Sequence, residues 1–537
     1  NMSDEEIWHL NRGGHDAHKV YAAYASAVAN EGAPTVILAK TVKGFGMGKA
    51  GEGLMSTHQQ KKLSDDALKE VRDRFNIPIS DEEIAGLTFR KPAEDSEEMR
   101  YLHARRSALG GYLPARSSVA APLVVPPLEA FNALLEGTGE REISTTMALV
   151  RMLTILVKDK NIGQHIVPII PDEARTFGME GMFRQIGIYS SVGQLYTPQD
   201  ADQLMFYRED KQGQILEEGI NEAGSCCSWI AAATAYANHG VSMVPFYIYY
   251  SMFGFQRVGD FIWAAGDSRS RGFLVGGTAG RTTLAGEGLQ HQDGHSQLVA
   301  TTVPNCVAYD PAYAYELAVI VQDGLRRMYQ DQESIFYYIT CMNENYPHPA
   351  MPAGVAQGIL NGMYLLQIGG RGKVRVTLFG SGTILREVLA AAELLEKNYG
   401  VPADVYSVTS FSELRKNALA IERRNMLHAT EARQQNYIQQ ALADREGPFI
   451  AATDYMKTVA DQIRQWVPGR YTVLGTDGFG RSDSRAELRR FFEVDRHYVV
   501  VAALKALADE AKIDTQTVLM AMQTFGIDPE KSNPVSV

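Results

Sequence analysis

At 537 residues the chain is long enough for roughly three domains of ordinary size. Its 52 basic and 63 acidic residues leave a net charge of −11, which excludes a general nucleic-acid binder. No apolar run approaches the roughly 18 residues of a membrane span. Four cysteines, Cys226, Cys227, Cys306 and Cys341, lack paired metal-ligand spacing and read as reduced thiols of a cytoplasmic protein.

The chain opens in mid-flow on a Ser/Asp helix-start signal, read as the inside of a longer protein. Residues 4–30 read as two helices. Residues 35–42 form an apolar strand pattern, followed by glycines and Lys43, a combination that lets backbone and charge approach a phosphate. Residues 48–60 are glycine-rich and polar and predict a mobile surface loop carrying His58. Charged helices are expected over 63–112, and the prolines and small residues of 113–127 mark a linker.

From 128 to 345, helices alternate with short apolar strands. Strands are expected at 166–170, 244–250, 273–277, 306–309 and 334–340, and helices at 144–158, 226–237, 256–266 and 313–328. That alternation predicts an α/β, doubly wound parallel sheet with its site at the strands' carboxyl ends. A second proline-rich linker at 346–352 precedes a further α/β domain to 537. Its expected strands are 373–379, 403–408, 449–453 and 498–502, with a helix over 384–397.

Within this frame Glu222 stands out. Gly224 and Ser225 can open the helix behind it, which would leave the acid just before a helix N-terminus, walled by Trp229 and the tyrosines of 244–250. A carboxylate so placed can hold or pass a proton, although a lone acid there is commonly only a helix-end group. Three strand-end loops converge on it by the strand-end rule. Residues 172–181 offer Asp172, Glu173 and Arg175, 251–253 offer the aromatic face of Phe253, and 286–295 offer Glu287, His291 and His295. Two acids, a histidine and a ring suit an aromatic heterocycle whose ring nitrogen needs a proton, followed by carbonyl chemistry.

The motifs NRGGHD (11–16), TVKGFGMG (41–48), DEARTFGMEG (172–181), EEGINEAG (217–224), PFYIYYSMFGFQR (245–257), GEGLQHQDGHS (286–296), NENYPHPAMP (343–352) and VLGTDGFGRSDSR (473–485) span essentially the whole chain. On these the chain resembles the bacterial homodimeric pyruvate dehydrogenase components, thiamine diphosphate enzymes of the transketolase-like group. The resemblance implies decarboxylation of pyruvate and acetyl transfer to the lipoyl group of a dihydrolipoyl acetyltransferase, whose lipoyl domain and core are the implied partners. It makes Glu222 the acid on the aminopyrimidine nitrogen and Phe253 the ring stacked on the pyrimidine. Tyr250, Glu173, Glu287, His291 and His295 become active-channel residues, His58 the loop histidine of lipoyl acetylation, and Lys43 a lysine reaching the centre. The family holds the diphosphate through Mg²⁺ with a Gly-Asp-Gly motif and a later Asn, a spacing this sequence lacks. The metal ligands are therefore expected in an N-terminal half outside these residues, and a piece without them is expected to be weak or inactive alone. A 2-oxoglutarate dehydrogenase, a transketolase or a non-catalytic assembly module of the same fold are the alternatives.

Overall fold

The computed structural model describes residues 3–8, 13–112, 117, 119–171, 174–199, 201–202 and 207–537. Two compact units divide the chain, Asn1–Leu113 and Pro114–Val537.

The first unit is helical. Its helices are α1 (Asp4–Trp8), α2 (Ala17–Ala29), α3 (Asp65–Arg74), α4 (Asp81–Ala85) and α5 (Glu97–Ala108). The caps follow from sequence: Asp16, Ser64, Ser80 and Ser96 each accept amide hydrogen bonds from the first turn behind them. The strand expected at 35–42 does not form. The segment has no regular structure, among the described residues of this unit no strand pairs with it, and Val36 and Leu38 stay 81% and 91% exposed. An apolar alternation becomes a strand only when a neighbour takes its backbone hydrogen bonds.

The second unit holds two large sheets and two two-stranded ladders, Glu142–Ile143 with Tyr346–Pro347 and Ile188–Tyr189 with Glu209–Asp210. The first large sheet is wholly parallel, built from β1 (Ile166–Ile170), β2 (Leu216–Glu217), β3 (Val244–Tyr250), β4 (Phe273–Gly277), β5 (Cys306–Tyr309) and β6 (Phe336–Thr340) in the order β2-β1-β3-β4-β6-β5. These strands are near-continuous aliphatic and aromatic runs because a parallel sheet is covered on both faces. Phe246 stacks on Phe273 with centroids 4.5 Å apart, and all of β4 is buried. Helices α6 (Thr145–Leu156), α7 (Glu222–His239), α8 (Phe255–Asp267) and α9 (Ser296–Ala300) belong to this layer.

The second sheet runs β7 (Met363–Gln367), β9 (Ala403–Val408), β8 (Val376–Gly380), β10 (Phe449–Ala452), β11 (Tyr471–Leu474), parallel except for β7 against β9. Helices α10 (Leu385–Tyr399) and α11 (Arg496–Asp509) pack together on it. The expected strand at 498–502 is instead the middle of α11. Asp495 caps that helix through the amides of His497 and Tyr498, and a sustained apolar face outweighs the local valine run. The linker expected at 346–352 contributes a short strand, Tyr346–Pro347, antiparallel to Glu142–Ile143.

Candidate active site

Loops leave the carboxyl ends of β1, β3 and β4, which are neighbours in the sheet, so their first residues must meet. Glu222 opens α7 rather than preceding it. Asn221 is the cap, its side chain accepting from the Gly224 amide at 3.0 Å, so the acid occupies the first helical turn where the helix dipole favours an anion. Its carbonyl accepts the Tyr247 hydroxyl at 3.1 Å. Trp229 packs edge-on against Phe336 in the core, and the planar group set beside Glu222 is Arg257.

Arg257 lies in the first turn of α8. Its Nη1 donates to Glu222 Oε1 at 2.6 Å, and the guanidinium carbon lies 3.9 Å from the Phe253 ring centroid. Phe253 meets the edge of His291 at 5.1 Å. His291 stacks on Tyr250 at 5.4 Å with ring planes 13° apart, and Tyr250 in turn touches Phe177 at 5.5 Å. His291 Nδ1 lies 3.0 Å from Glu287 Oε2, at an angle too poor for a hydrogen bond.

Five of the sequence-predicted residues, Glu222, Phe253, Tyr250, Glu287 and His291, thus form one contact chain with Arg257 as the bridge. His295 stands apart at the start of α9, its amide donating to Asp293 Oδ1 at 2.9 Å. Buried Asp293 also accepts the Ser251 hydroxyl at 2.8 Å and so ties the β3 loop to the β4 loop. Glu173 lies outside the described residues. Lys43 and His58 belong to the first unit and both are exposed. Lys43 sits at a glycine turn where its carbonyl accepts the Gly53 amide, and His58 sits in the short turn Met55–Gln59.

Arg257 was invisible to sequence reasoning because an exposed arginine early in a helix carries no periodic signal. The Asp293 and Ser251 pair was equally unmarked. Among the described residues no three His, Cys, Asp or Glu side chains gather in a way that could hold a metal ion. Nor is any described helix long and apolar enough to cross a membrane. All four cysteines are free, and only Cys227 is exposed.

The arrangement offers a ring face, an acid within reach of a group lying on that ring, and an imidazole beside a second acid. Chemically, these groups can stack on a flat nitrogen heterocycle and exchange protons at its edge.

Residues 124–349 match the family model described as the pyruvate dehydrogenase E1 component middle domain, and 362–495 match the transketolase-like C-terminal domain. Curated relatives named pyruvate dehydrogenase E1 component are 62% identical over 536 residues in Pseudomonas aeruginosa, covering 99% of this chain and 61% of the relative. The Cupriavidus necator relative is 58% identical over 538 residues, covering 100% and 60%, and that of Escherichia coli K12 is 57% identical over 535, covering 99% and 60%. The chain thus spans about three fifths of the length of the curated relatives it matches. Among solved structures, a Campylobacter jejuni transketolase superposes with a TM-score of 0.61 at 18% identity, covering 91% of this chain and 66% of that one. A Leishmania mexicana transketolase gives 0.59 at 16% identity, covering 92% and 65%. These last likenesses are of fold.

Proposed function

The chain carries the middle domain of the pyruvate dehydrogenase E1 family and a transketolase-like C-terminal domain, and from that premise we propose that it supplies the pyrimidine-side acid–base residues of a thiamine diphosphate enzyme. The reaction proposed is decarboxylation of pyruvate, with the acetyl group passed to the lipoyl group of dihydrolipoyl acetyltransferase.

One observation carries this reading. The Arg257 guanidinium is a planar nitrogen group that lies over Phe253 and donates an N–H to Glu222 at the same time. Those are the two contacts an aminopyrimidine ring needs, so the residues present fit it. Phe253 would orient the ring by stacking. Glu222 would accept and return a proton at the ring nitrogen, an exchange typically worth about 10²- to 10⁴-fold in rate. Tyr250, Glu287 and His291 would line the substrate side, where the imidazole and its neighbouring acid manage protons on the substrate oxygen. When bound, thiamine diphosphate supplies the electron sink that decarboxylation of a 2-oxo acid requires.

Lys43, His58, Glu173 and His295 enter the same proposal in the roles that the resemblance implies. Magnesium enters it without ligands among the described residues, and no step is drawn through it. The division into 1–127, 128–345 and 346–537, supported by the two large sheets, a cytoplasmic setting, supported by the four free thiols, and a homodimeric assembly complete the reading.

The test is turnover by a polypeptide of the full length of the curated relatives that carries this chain, with thiamine diphosphate, Mg²⁺ and ferricyanide as acceptor. Pyruvate is expected to be oxidised at least about 10²-fold faster than 2-oxoglutarate, a discrimination that pocket contacts can supply. Ketol transfer from a sugar phosphate in place of pyruvate oxidation would overturn the reading in favour of a transketolase.

A further inference from the structure

The turn that presents Glu287 and His291 leaves β4 of the parallel sheet, yet it is held by the strand ends of the second sheet. Gly280 has φ +88°, and a Cβ there would stand 2.3 Å from Asp454 Oδ2, so only glycine lets the turn approach that carboxylate. Asp454 follows β10 and is fully buried. Its Oδ1 accepts the Thr282 amide at 2.8 Å and hydroxyl at 2.7 Å, and its Oδ2 accepts the Thr283 amide at 3.0 Å and hydroxyl at 2.5 Å. Four donors on one carboxylate fix the first limb of the turn.

The rest is fastened from the loop after β11. The Arg481 amide donates to Gln292 Oε1 at 2.7 Å, while Gln292 Nε2 donates to the Leu284 carbonyl at 2.8 Å. One side chain therefore pins both limbs. The exposed Ser482 hydroxyl donates to the Glu287 carbonyl at 2.6 Å, and from the segment after β10 the Met456 amide donates to the Gly294 carbonyl at 2.7 Å. Gly480 is a second point of close approach. A Cβ there would stand 2.4 Å from the Leu289 carbonyl oxygen and 3.0 Å from Gln292 Cβ, against the short turn Leu289–His291 itself.

We propose that Asp454, Gly480 and Ser482 of the C-terminal domain are positioning residues for His291 and Glu287, fixing where the imidazole stands between Tyr250 and Phe253. They act through the turn and not on a reacting group. The proposal rests on the reading of His291 as a residue of the reaction crevice, but its geometry stands without turnover. The bland alternative is that these contacts merely glue two sheets together. In that case the histidine would be indifferent to a one-methyl change at Gly480.

The decisive variant is Gly480→Ala in the 537-residue chain, whose φ there does not penalise alanine. Two readouts are followed without cofactor: the His291 imidazole resonances, and amide exchange over 284–296 against 336–340 in β6. Gly480→Ala is expected to shift the His291 resonances and to speed exchange over 284–296 about tenfold or more, with β6 unchanged. Ser482→Ala should move both readouts less in the same direction, and Ser482→Thr, which keeps the hydroxyl, should restore them. Asp454→Asn places an amide N–H₂ against donors and should give the largest change. Should it fail to fold, the other variants still decide. Unchanged His291 resonances in Gly480→Ala, or exchange that rises equally in β6, would overturn the proposal. Neither readout requires catalysis, so failure of the proposed reaction would register separately.

Discussion

Arg257 Nη1 stands 2.6 Å from Glu222 Oε1 while the same guanidinium lies over Phe253 at 3.9 Å. One planar cation thereby joins the acid and the ring, which come from different elements. The acid's side chain is 12% exposed and that of the arginine 48% exposed, so solvent screens much of the pair. Arg257→Met is expected to cost about 1 kcal/mol, the sum of a screened ion pair and a partly exposed cation–π contact. Arg257→Lys should recover only part of it, because a point charge cannot stack and donate sideways together. Urea midpoints check both, and a lysine variant as stable as wild type would contradict the dual role.

The parallel-sheet strands other than β2 were readable almost to the residue because each of them is a short aromatic or β-branched run bounded by turn residues. β1, β3, β4 and β5 begin and end where the pattern does. Residues 498–502 carry the same local composition yet form helix, since capping by Asp495 and packing against α10 are set elsewhere in the chain. Residues 35–42 show the complementary failure, a strand pattern without a partner to pair. β2, β7 and β11 were missed, being short and only partly buried with no marked alternation. Within the site, residue types announced Glu222, Phe253 and His291. Arg257, Asp454 and Gly480 act only through three-dimensional proximity, which spacing along the chain does not encode.

His348 gives a pH prediction. It is buried, stacked on Tyr346 at 4.6 Å, accepts the Ala314 amide on Nδ1 at 2.8 Å and donates from Nε2 to the Ile143 carbonyl at 3.0 Å. Burial pushes its pKa down to about 4, so the folded state holds it neutral. Its contribution is complete above about pH 6.5 and is lost as pH falls from there toward 4, where the unfolded chain binds a proton the folded chain refuses. The loss approaches about 3 kcal/mol at pH 4. His348→Gln should flatten that limb of a stability curve measured by urea unfolding between pH 4 and 7. An unchanged slope would show that other groups set the acid limb.

His58 occupies an exposed turn of the first unit. If it serves acetyl transfer to the lipoyl group, His58→Ala in a polypeptide of full relative length should leave ferricyanide-coupled pyruvate oxidation within about twofold of wild type. Lipoyl acetylation should fall about 10²-fold or more, the worth of a positioned acid–base group. Equal losses in the two assays would remove His58 from that role.

The central claim is that Glu222 exchanges a proton with a pyrimidine ring seated over Phe253. Glu222→Gln keeps the shape and a hydrogen bond but cannot carry the proton. The measurement is deuterium exchange at the thiazolium carbon of thiamine diphosphate, made in a polypeptide of full relative length with Mg²⁺ and no substrate. The account predicts a loss of about 10²- to 10⁴-fold in the exchange rate with folding and cofactor affinity retained. Exchange at the wild-type rate in a folded, cofactor-bound Glu222→Gln protein would contradict it and leave Glu222 as an acid that only steadies the start of α7.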